Sequence, residues 1–86
     1  MAGIELNNQG AALEKAGNLS EALEKYRAAL ERYPDHVGIR LNFAVALLRL
    51  GQWKQGIAEL QEVVRRDPNN LPAKKALQEA LAQAPR

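Results

Sequence analysis

Apolar residues recur along this chain at steps of three and four, which is the spacing of one face of an α-helix. Polar or glycine-containing breaks divide the pattern into five stretches. It predicts helices at about 4–16, 20–33, 37–50, 54–66 and 71–83. The breaks contain residues that end helices, since Gly adopts the left-handed conformation cheaply and Pro cannot continue a helix. They are Gly17, Pro34, Gly51 and Pro68. The expected fold class is all-α.

Polar residues beside these breaks predict the helix starts. Asn18 is placed to cap the second helix, with Glu21 three residues later to complete a capping box. Asp35 is placed to cap the third helix, and Asn69 or Asn70 the fifth. Each of these side chains is short enough to accept a hydrogen bond from the first turn of its helix.

The pattern repeats along the chain. Residues 3–36 align with residues 37–70, and a third copy begins at 71 and stops after one helix. Identical pairs are Asn8/Asn42, Ala12/Ala46, Leu13/Leu47, Gly17/Gly51, Arg32/Arg66 and Pro34/Pro68. One such unit cannot bury its apolar face alone, so the units are expected to stack. The fifth helix should then cover the second unit with an apolar stripe and leave polar residues outward. The stripe is Ala73, Leu77, Ala80 and Leu81, and the outward residues are Lys74, Gln78 and Glu79.

Three kinds of position carry a family resemblance. Small residues stand where two helices of a unit would cross, large apolar residues stand opposite, and a proline closes each unit. The small residues are Gly10, Ala44, Ala22, Gly56 and Ala29. The large apolar residues are Leu13, Leu47, Tyr26 and Leu60, and the prolines are Pro34 and Pro68. The pattern resembles the tetratricopeptide repeat (TPR). The resemblance implies one domain at 1–86, a right-handed α-solenoid of five helices with repeats at 3–36 and 37–70 and a capping helix at 71–83. Val63 departs from the usual Ala, and Leu6 and Arg40 stand where the family often has Trp.

The resemblance also implies a function and a binding surface. TPR solenoids hold extended peptides in a concave groove lined by the first helix of each unit. The expected function is therefore that of a non-catalytic module for protein–protein interaction, with a peptide or protein segment as partner. The best groove candidates are Asn7, Asn8, Ala11, Leu41, Asn42, Val45, Leu48 and Arg49. Other groove positions are Ile4, Glu14, Lys15, Gly38, Lys75, Ala76 and Glu79.

Some TPR domains grip the C-terminal carboxylate of heat-shock chaperones with a clamp of Lys, Arg and Asn. Only Asn42 stands at a clamp position here. Asn7, Ala11, Pro72 and Ala76 replace the other clamp residues. A chaperone tail is therefore not the expected partner.

The third predicted helix is apolar nearly all round, and two interpretations of it are open. Leu41, Val45 and Leu48 lie on a strip that is offset from the main apolar stripe. The main stripe contains Phe43, Ala44, Leu47 and Leu50. A central helix that touches four neighbours would need both faces apolar. Alternatively, the strip is left for a ligand.

Composition excludes most site chemistry. Among 86 residues there is no cysteine and a single histidine, so a thiolate metal site or a nucleophile–base pair has no members. We expect no catalytic residue, no metal and no cofactor, and interpret His36 as a solvated turn residue. Acidic and basic residues are interleaved along the chain and the net charge is only +2, so no nucleic-acid partner is expected. No apolar run approaches about 20 residues and no signal peptide is recognisable, so a cytoplasmic protein without a membrane partner is expected.

Several smaller features allow alternatives. Glu21 with Lys25, Arg27 with Glu31 and Glu62 with Arg66 have the spacing of helix-surface ion pairs. Trp53 is predicted to pack across the turn between two helices, with a partner hot spot as the alternative.

Two rival functions are also open. The first is an accessory region of a larger enzyme, such as a glycosyltransferase or hydroxylase, because Met1-Ala2-Gly3 enters the first helix with no polar N-terminal cap. The second is a self-association module, although a monomer is favoured.

Overall fold

The computed structural model describes residues 2–85. Met1 and Arg86, the two ends of the expected domain, lie outside the described residues. The described chain forms five α-helices: α1 (Ala2–Lys15), α2 (Leu19–Arg32), α3 (Val37–Arg49), α4 (Trp53–Arg66) and α5 (Leu71–Gln83). Their ends differ from the predicted ones by one or two residues at most. The all-α fold class is confirmed for this part of the chain.

The turns inside each helix pair depend on glycine. Gly17 has φ 85° and Gly51 has φ 81°, in the left-handed region that other residues avoid. Both helix ends close in the same way, because the next residue's N–H reaches back five residues. Asn18 donates to the carbonyl of Leu13 at 2.8 Å, and Gln52 to that of Leu47 at 2.9 Å.

The helix starts agree with the sequence only in part. Asn70 caps α5, and its Oδ1 accepts from the Ala73 N–H at 3.0 Å, as predicted. Asn18 occupies the N-cap of α2, but its side chain makes no capping bond. The predicted capping box is therefore wrong, because the ψ of 68° at Asn18 lies outside the extended region from which a side chain can reach the first turn.

His36, not Asp35, caps α3. The His36 Nδ1 accepts from the Ile39 N–H at 3.1 Å, so this exposed residue has a structural role that the sequence analysis missed. The Asp35 carboxylate accepts instead from Arg66 Nη1 at 2.6 Å, across the surface between the two units.

The core has two parts. One joins α2 to α3 and contains Ala22, Leu23, Tyr26, Phe43, Ala46 and Leu47. The other joins α3, α4 and α5 through Ala44, Leu60 and Ala80. Helices cross closely where small residues allow it: a Cβ at Gly10 would lie 2.7 Å from the Tyr26 ring.

The two outer helices differ from α3 at equivalent repeat positions. Phe43 and Ala46 are buried against α2, whereas their counterparts Gln9 and Ala12 on α1 are exposed. Gln9 and Ala12 therefore place a polar and a small residue on the face of α1 that corresponds to a buried face of α3.

The predicted stripe of α5 is correct for three of its four residues. Ala73 and Ala80 are buried and Leu77 is half-buried, but Leu81 is 57% exposed. Leu81 aligns with Leu47, which packs between helices. No helix follows α5 among the described residues, so the same repeat position faces solvent there.

One of the three predicted surface ion pairs forms. Glu62 pairs with Arg66 and also with Arg65, at 2.6 Å. The other two predicted pairs, Glu21–Lys25 and Arg27–Glu31, do not form within the described residues. Arg27 lies instead over the Phe43 ring, with 5.4 Å from its guanidinium carbon to the ring centroid.

Candidate binding groove

The first helices of the units line one side of the molecule. Helix α3 contacts both α1 and α5, whereas α2 and α4 do not contact each other in the described chain. Neighbouring elements approach more closely on the inside of a curved stack. The curvature therefore places α1, α3 and α5 on the inner side, and we refer to the surface that they form as the groove.

The eight best candidate residues lie on α1 and α3, two of the three helices that line this groove. Six of the eight are half-buried, namely Asn7, Ala11, Leu41, Asn42, Val45 and Leu48. Asn8 and Arg49 are exposed. Partial burial is what a surface between adjacent helices should show, since each side chain is covered on one side only.

Hydrogen bonds close the contact between α1 and α3, which we call the polar seam. Asn42 Nδ2 donates to Asn7 Oδ1 at 3.1 Å. Arg49 Nη1 donates to Glu14 Oε2 at 2.9 Å. The Arg49 side chain is 51% exposed, so solvent screens this ion pair and we expect it to contribute less than about 1 kcal/mol.

Glu14 connects the polar seam to the core. Its other carboxylate oxygen, Oε1, accepts from the Tyr26 hydroxyl at 2.8 Å. Burial, together with the negative charge of Glu14, raises the pKa of Tyr26 well above its ordinary range. The phenol is therefore protonated at neutral pH and donates to Glu14.

The contact between α3 and α5, which we call the apolar seam, lacks these bonds because the residues change. One repeat on from Asn7 and Asn42 stand Leu41 and Ala76, and one repeat on from Glu14 and Arg49 stand Leu48 and Gln83. A cleft of about 280 Å³ lies along this seam. It is lined by Val45, Leu48, Arg49, Trp53, Ala76, Glu79, Ala80 and Gln83.

Both interpretations of the apolar strip on α3 have a counterpart in the structure. Leu41 and Leu48 pack against the core that joins α3, α4 and α5. The Leu48 side chain also lies close to Gly56, where a Cβ would be 2.7 Å from Leu48 Cδ2. Leu48 and Val45 nevertheless keep surface that faces the cleft. The strip thus serves helix packing and lines the cleft as well.

Trp53 was predicted to pack across a turn between two helices, with a partner hot spot as the alternative. It is half-buried, packs against the same core and lines the cleft at the start of α4. Its counterpart in the first unit is Leu19. The sequence does contain a signal for this cleft: polar groups that join α1 to α3 are missing at the equivalent positions of α3 and α5. The signal is visible only when equivalent positions of successive repeats are compared.

Glu62, Arg65 and Arg66 form ion pairs on the surface of α4. Hydrogen bonds from Arg65 and Arg66 lower the pKa of Glu62 to about 2. Asp35 shares Arg66, so these arginines are not a free basic patch. Among residues 2–85, no group of acidic or histidine side chains could hold a metal ion. None of the helices described is long and apolar enough to span a membrane.

Comparisons with known proteins agree with this architecture. The family model of the tetratricopeptide repeat matches residues 13–81. The peroxisomal targeting signal receptor of Saccharomyces cerevisiae is 35% identical over 65 residues, which is 76% of this chain and 11% of that protein. The TPR repeat-containing thioredoxin TTL4 of Arabidopsis thaliana is 34% identical over 65 residues, 76% of this chain and 10% of that protein. The chain thus spans about a tenth of the length of these relatives.

A solved structure shares the fold. The first TPR of Spaghetti (RPAP3), bound to the HSP90 peptide SRMEEVD, superposes with a TM-score of 0.56 at 17% identity. The match covers 94% of this chain and 91% of the other. The prediction of a helical repeat solenoid is confirmed.

Proposed function

The chain belongs to the tetratricopeptide repeat family, and we propose that it is a non-catalytic module that binds an extended peptide or protein segment in the groove. The observation that carries the proposal is the continuous inner surface of α1, α3 and α5, with half-buried polar and apolar side chains next to one another. A polypeptide offers a regular row of backbone donors and acceptors with side chains between them. The groove, with polar and apolar side chains next to one another, can pair with both the backbone groups and the side chains of such a segment.

The two asparagines of the polar seam support a backbone ligand. Their mutual bond uses one donor of Asn42 and one acceptor site of Asn7. The amide nitrogen of Asn7 and the amide oxygen of Asn42 stay available, since each amide can both donate and accept. One donor and one acceptor side by side suit the carbonyl and N–H of a peptide.

The relatives support the same class of partner. The solved TPR neighbour holds a peptide, and one curated relative is named as a receptor for a targeting signal. The partner proposed here differs from the acidic chaperone tail of that neighbour. Asn7, Ala11, Pro72 and Ala76 provide no cation at the clamp positions.

Selection from a library of random, N-acetylated and C-amidated heptapeptides tests the proposal, followed by calorimetric titration. We expect binders whose affinity falls about two- to tenfold in Asn42→Ala, the range of one hydrogen bond. Asn69→Ala, in the exposed turn before α5, is the matched control and should bind as the wild type does. The peptide SRMEEVD should bind no better than an unselected peptide. A library without any binder, or binders indifferent to Asn42→Ala, would overturn the proposal.

Recruitment of substrate within a larger enzyme is the second candidate function. One observation favours it: a similar stretch makes up a tenth of a relative named as a thioredoxin. In such a protein, Asn42→Ala should lower kcat/KM for a polypeptide substrate and leave that for a small substrate unchanged. Equal effects on both substrates would argue against recruitment.

We also take the module to be a monomer. Leu71 and Leu81 are exposed on the outer face of α5, but Lys74 and Gln78 separate them, so the apolar area is not continuous. Sedimentation should give the monomer mass at every concentration between about ten and several hundred micromolar, a range typical of weak association. A mass that rises with concentration would favour self-association.

A further inference from the structure

The groove has a polar half and an apolar half, and the second contains the cleft. Along the polar seam, side-chain bonds between α1 and α3 occupy the space between the helices. One repeat on, Leu41 and Leu48 replace the side chains that made those bonds on the first helix. The space between α3 and α5 stays open there.

The size of the cleft limits what it can hold. Its volume of about 280 Å³ lies at the lower end of small-molecule sites, which occupy about 300–1,000 Å³. Its floor is apolar, with Val45, Leu48, Trp53, Ala76 and Ala80. A space of this size and lining fits one large apolar side chain, while the rest of the ligand stays outside.

The rim of the cleft indicates a neutral backbone on either side of that side chain. Arg49 stands on one side, and Glu79 and Gln83 stand on the other. Arg49 donates to Glu14 through Nη1, and its other guanidinium N–H groups have no protein acceptor in the described structure. A partner carboxylate would be attracted by Arg49 but repelled by Glu79, and a partner cation the reverse. A peptide carbonyl and N–H can pair with both.

We propose that this cleft is the specificity pocket of the module, and that it holds one leucine or phenylalanine side chain from a neutral, extended segment of the partner. Trp53 is the residue that contacts this side chain. An aromatic ring half-covered by core and half-facing a cleft is the usual setting of a binding hot spot. The inference rests on the proposed function, since it names the residue that the bound segment must contain.

The first experiment probes the cleft without any partner. Trp53 is the only tryptophan, so the fluorescence comes from a residue that lines the cleft. Trp53 also borders a second cavity, beside Gly51 and Pro85, so the NMR signals of Leu48 and Ala76 decide which of the two is occupied. N-acetyl-phenylalaninamide should shift the Trp53 emission to the blue in a saturable way, and should shift the NMR methyl signals of Leu48 and Ala76. N-acetyl-glycinamide is the control and should change neither. Shifts that do not saturate, or that appear at Leu30 on α2 instead, would overturn the assignment.

The second experiment uses the library-selected peptides. Ala76→Leu places extra carbon atoms in the cleft, whereas Ala58→Leu makes the same change on an exposed site of α4. Ala76→Leu should weaken peptides that contain Leu or Phe by about ten- to a hundredfold, the equivalent of one buried apolar side chain. Ala58→Leu should leave their affinity unchanged. A melting curve on each variant tests whether it is folded.

The outcomes separate the two proposals. If selected peptides lose affinity in Asn42→Ala but not in a folded Ala76→Leu, the groove function holds and the specificity pocket is refuted. If Ala76→Leu unfolds, replacing the peptide's Leu or Phe by Ala in the wild type decides the question, since a loss below threefold overturns the pocket. If no library peptide binds, the proposed function fails, and the amide titration still reports whether the cleft takes an apolar side chain.

Discussion

Truncation of Leu47 tests the assignment of the core where the two repeats meet. Leu47 is 0% exposed and lies in the cluster that includes Tyr26 and Phe43. Replacing a buried leucine by alanine removes buried methyl groups and leaves a cavity, at a cost of about 2–5 kcal/mol. At about 0.05–0.15 kcal/mol per residue, a chain of 86 residues has a total stability of about 4–13 kcal/mol. Leu47→Ala should therefore remove a large share of it.

Leu81→Ala is a matched control, because the same substitution falls on the same repeat position one unit later. Leu81 is 57% exposed, so the change in the free energy of unfolding should stay within about 0.5 kcal/mol. Urea denaturation followed by circular dichroism gives both values, with equal m-values for a two-state transition. In a thermal melt, the Tm of Leu47→Ala should fall by about 8–40 °C, at about 4–8 °C per kcal/mol. Similar losses for the two variants would refute the assignment of α5 as a helix with a free outer face.

Three further changes probe other parts of the structure. Ala22→Leu should overpack the contact between α2 and α1 and lower the free energy of unfolding by about 1–3 kcal/mol in urea denaturation. The exposed control Ala58→Leu should change it very little, and equal urea midpoints for the two variants would show that the helices cross elsewhere. His36→Ala should remove the capping bond to Ile39 and cost about 1 kcal/mol, and His36→Ser should restore most of it, so an unchanged stability in both would mean that the cap contributes nothing. The pKa of Glu62 is lowered from 4.5 to about 2 in the folded state, so its contribution is complete above pH 4.5 and disappears as the pH falls through 2. The difference in urea midpoint between wild type and Glu62→Gln should shrink over that window, and a constant difference would exclude this ion pair as its source.

The fold could be predicted from the sequence because its signals are local and occur twice. Gly17 and Gly51 end helices at equivalent positions, and the aligned apolar spacing fixes which face each helix buries. Features that depend on the presence of a neighbouring helix could not be read in this way. Leu81 repeats the residue type of Leu47, but no helix among the described residues covers it. The capping roles of Asn18 and His36 depend on one backbone angle, which residue types do not determine.

The groove was predicted as a set of positions, not as a shape. Periodicity places Asn7, Leu41 and Arg49 on the same side of successive first helices, and the structure brings these helices together there. The bonding partners of Asn7 and Arg49 lie 35 residues away along the chain, and neither spacing nor propensity reports such a pairing. The cleft was still harder to predict from the sequence, because it arises where polar partners between α3 and α5 are absent. Its role in binding stays a prediction until the amide titration is done.

The two seams give the solenoid unequal stiffness. Hydrogen bonds such as Asn42–Asn7 fix a short distance, so α1 and α3 resist sliding past each other. Apolar contacts tolerate small shear displacements of packed helices, and they are what joins α3 to α5. We therefore expect bending of the stack to displace α5 relative to α3 more easily than α3 relative to α1. High salt should weaken the contact between α1 and α3 more than that between α3 and α5, because within residues 2–85 the ion pair between first helices is Arg49–Glu14.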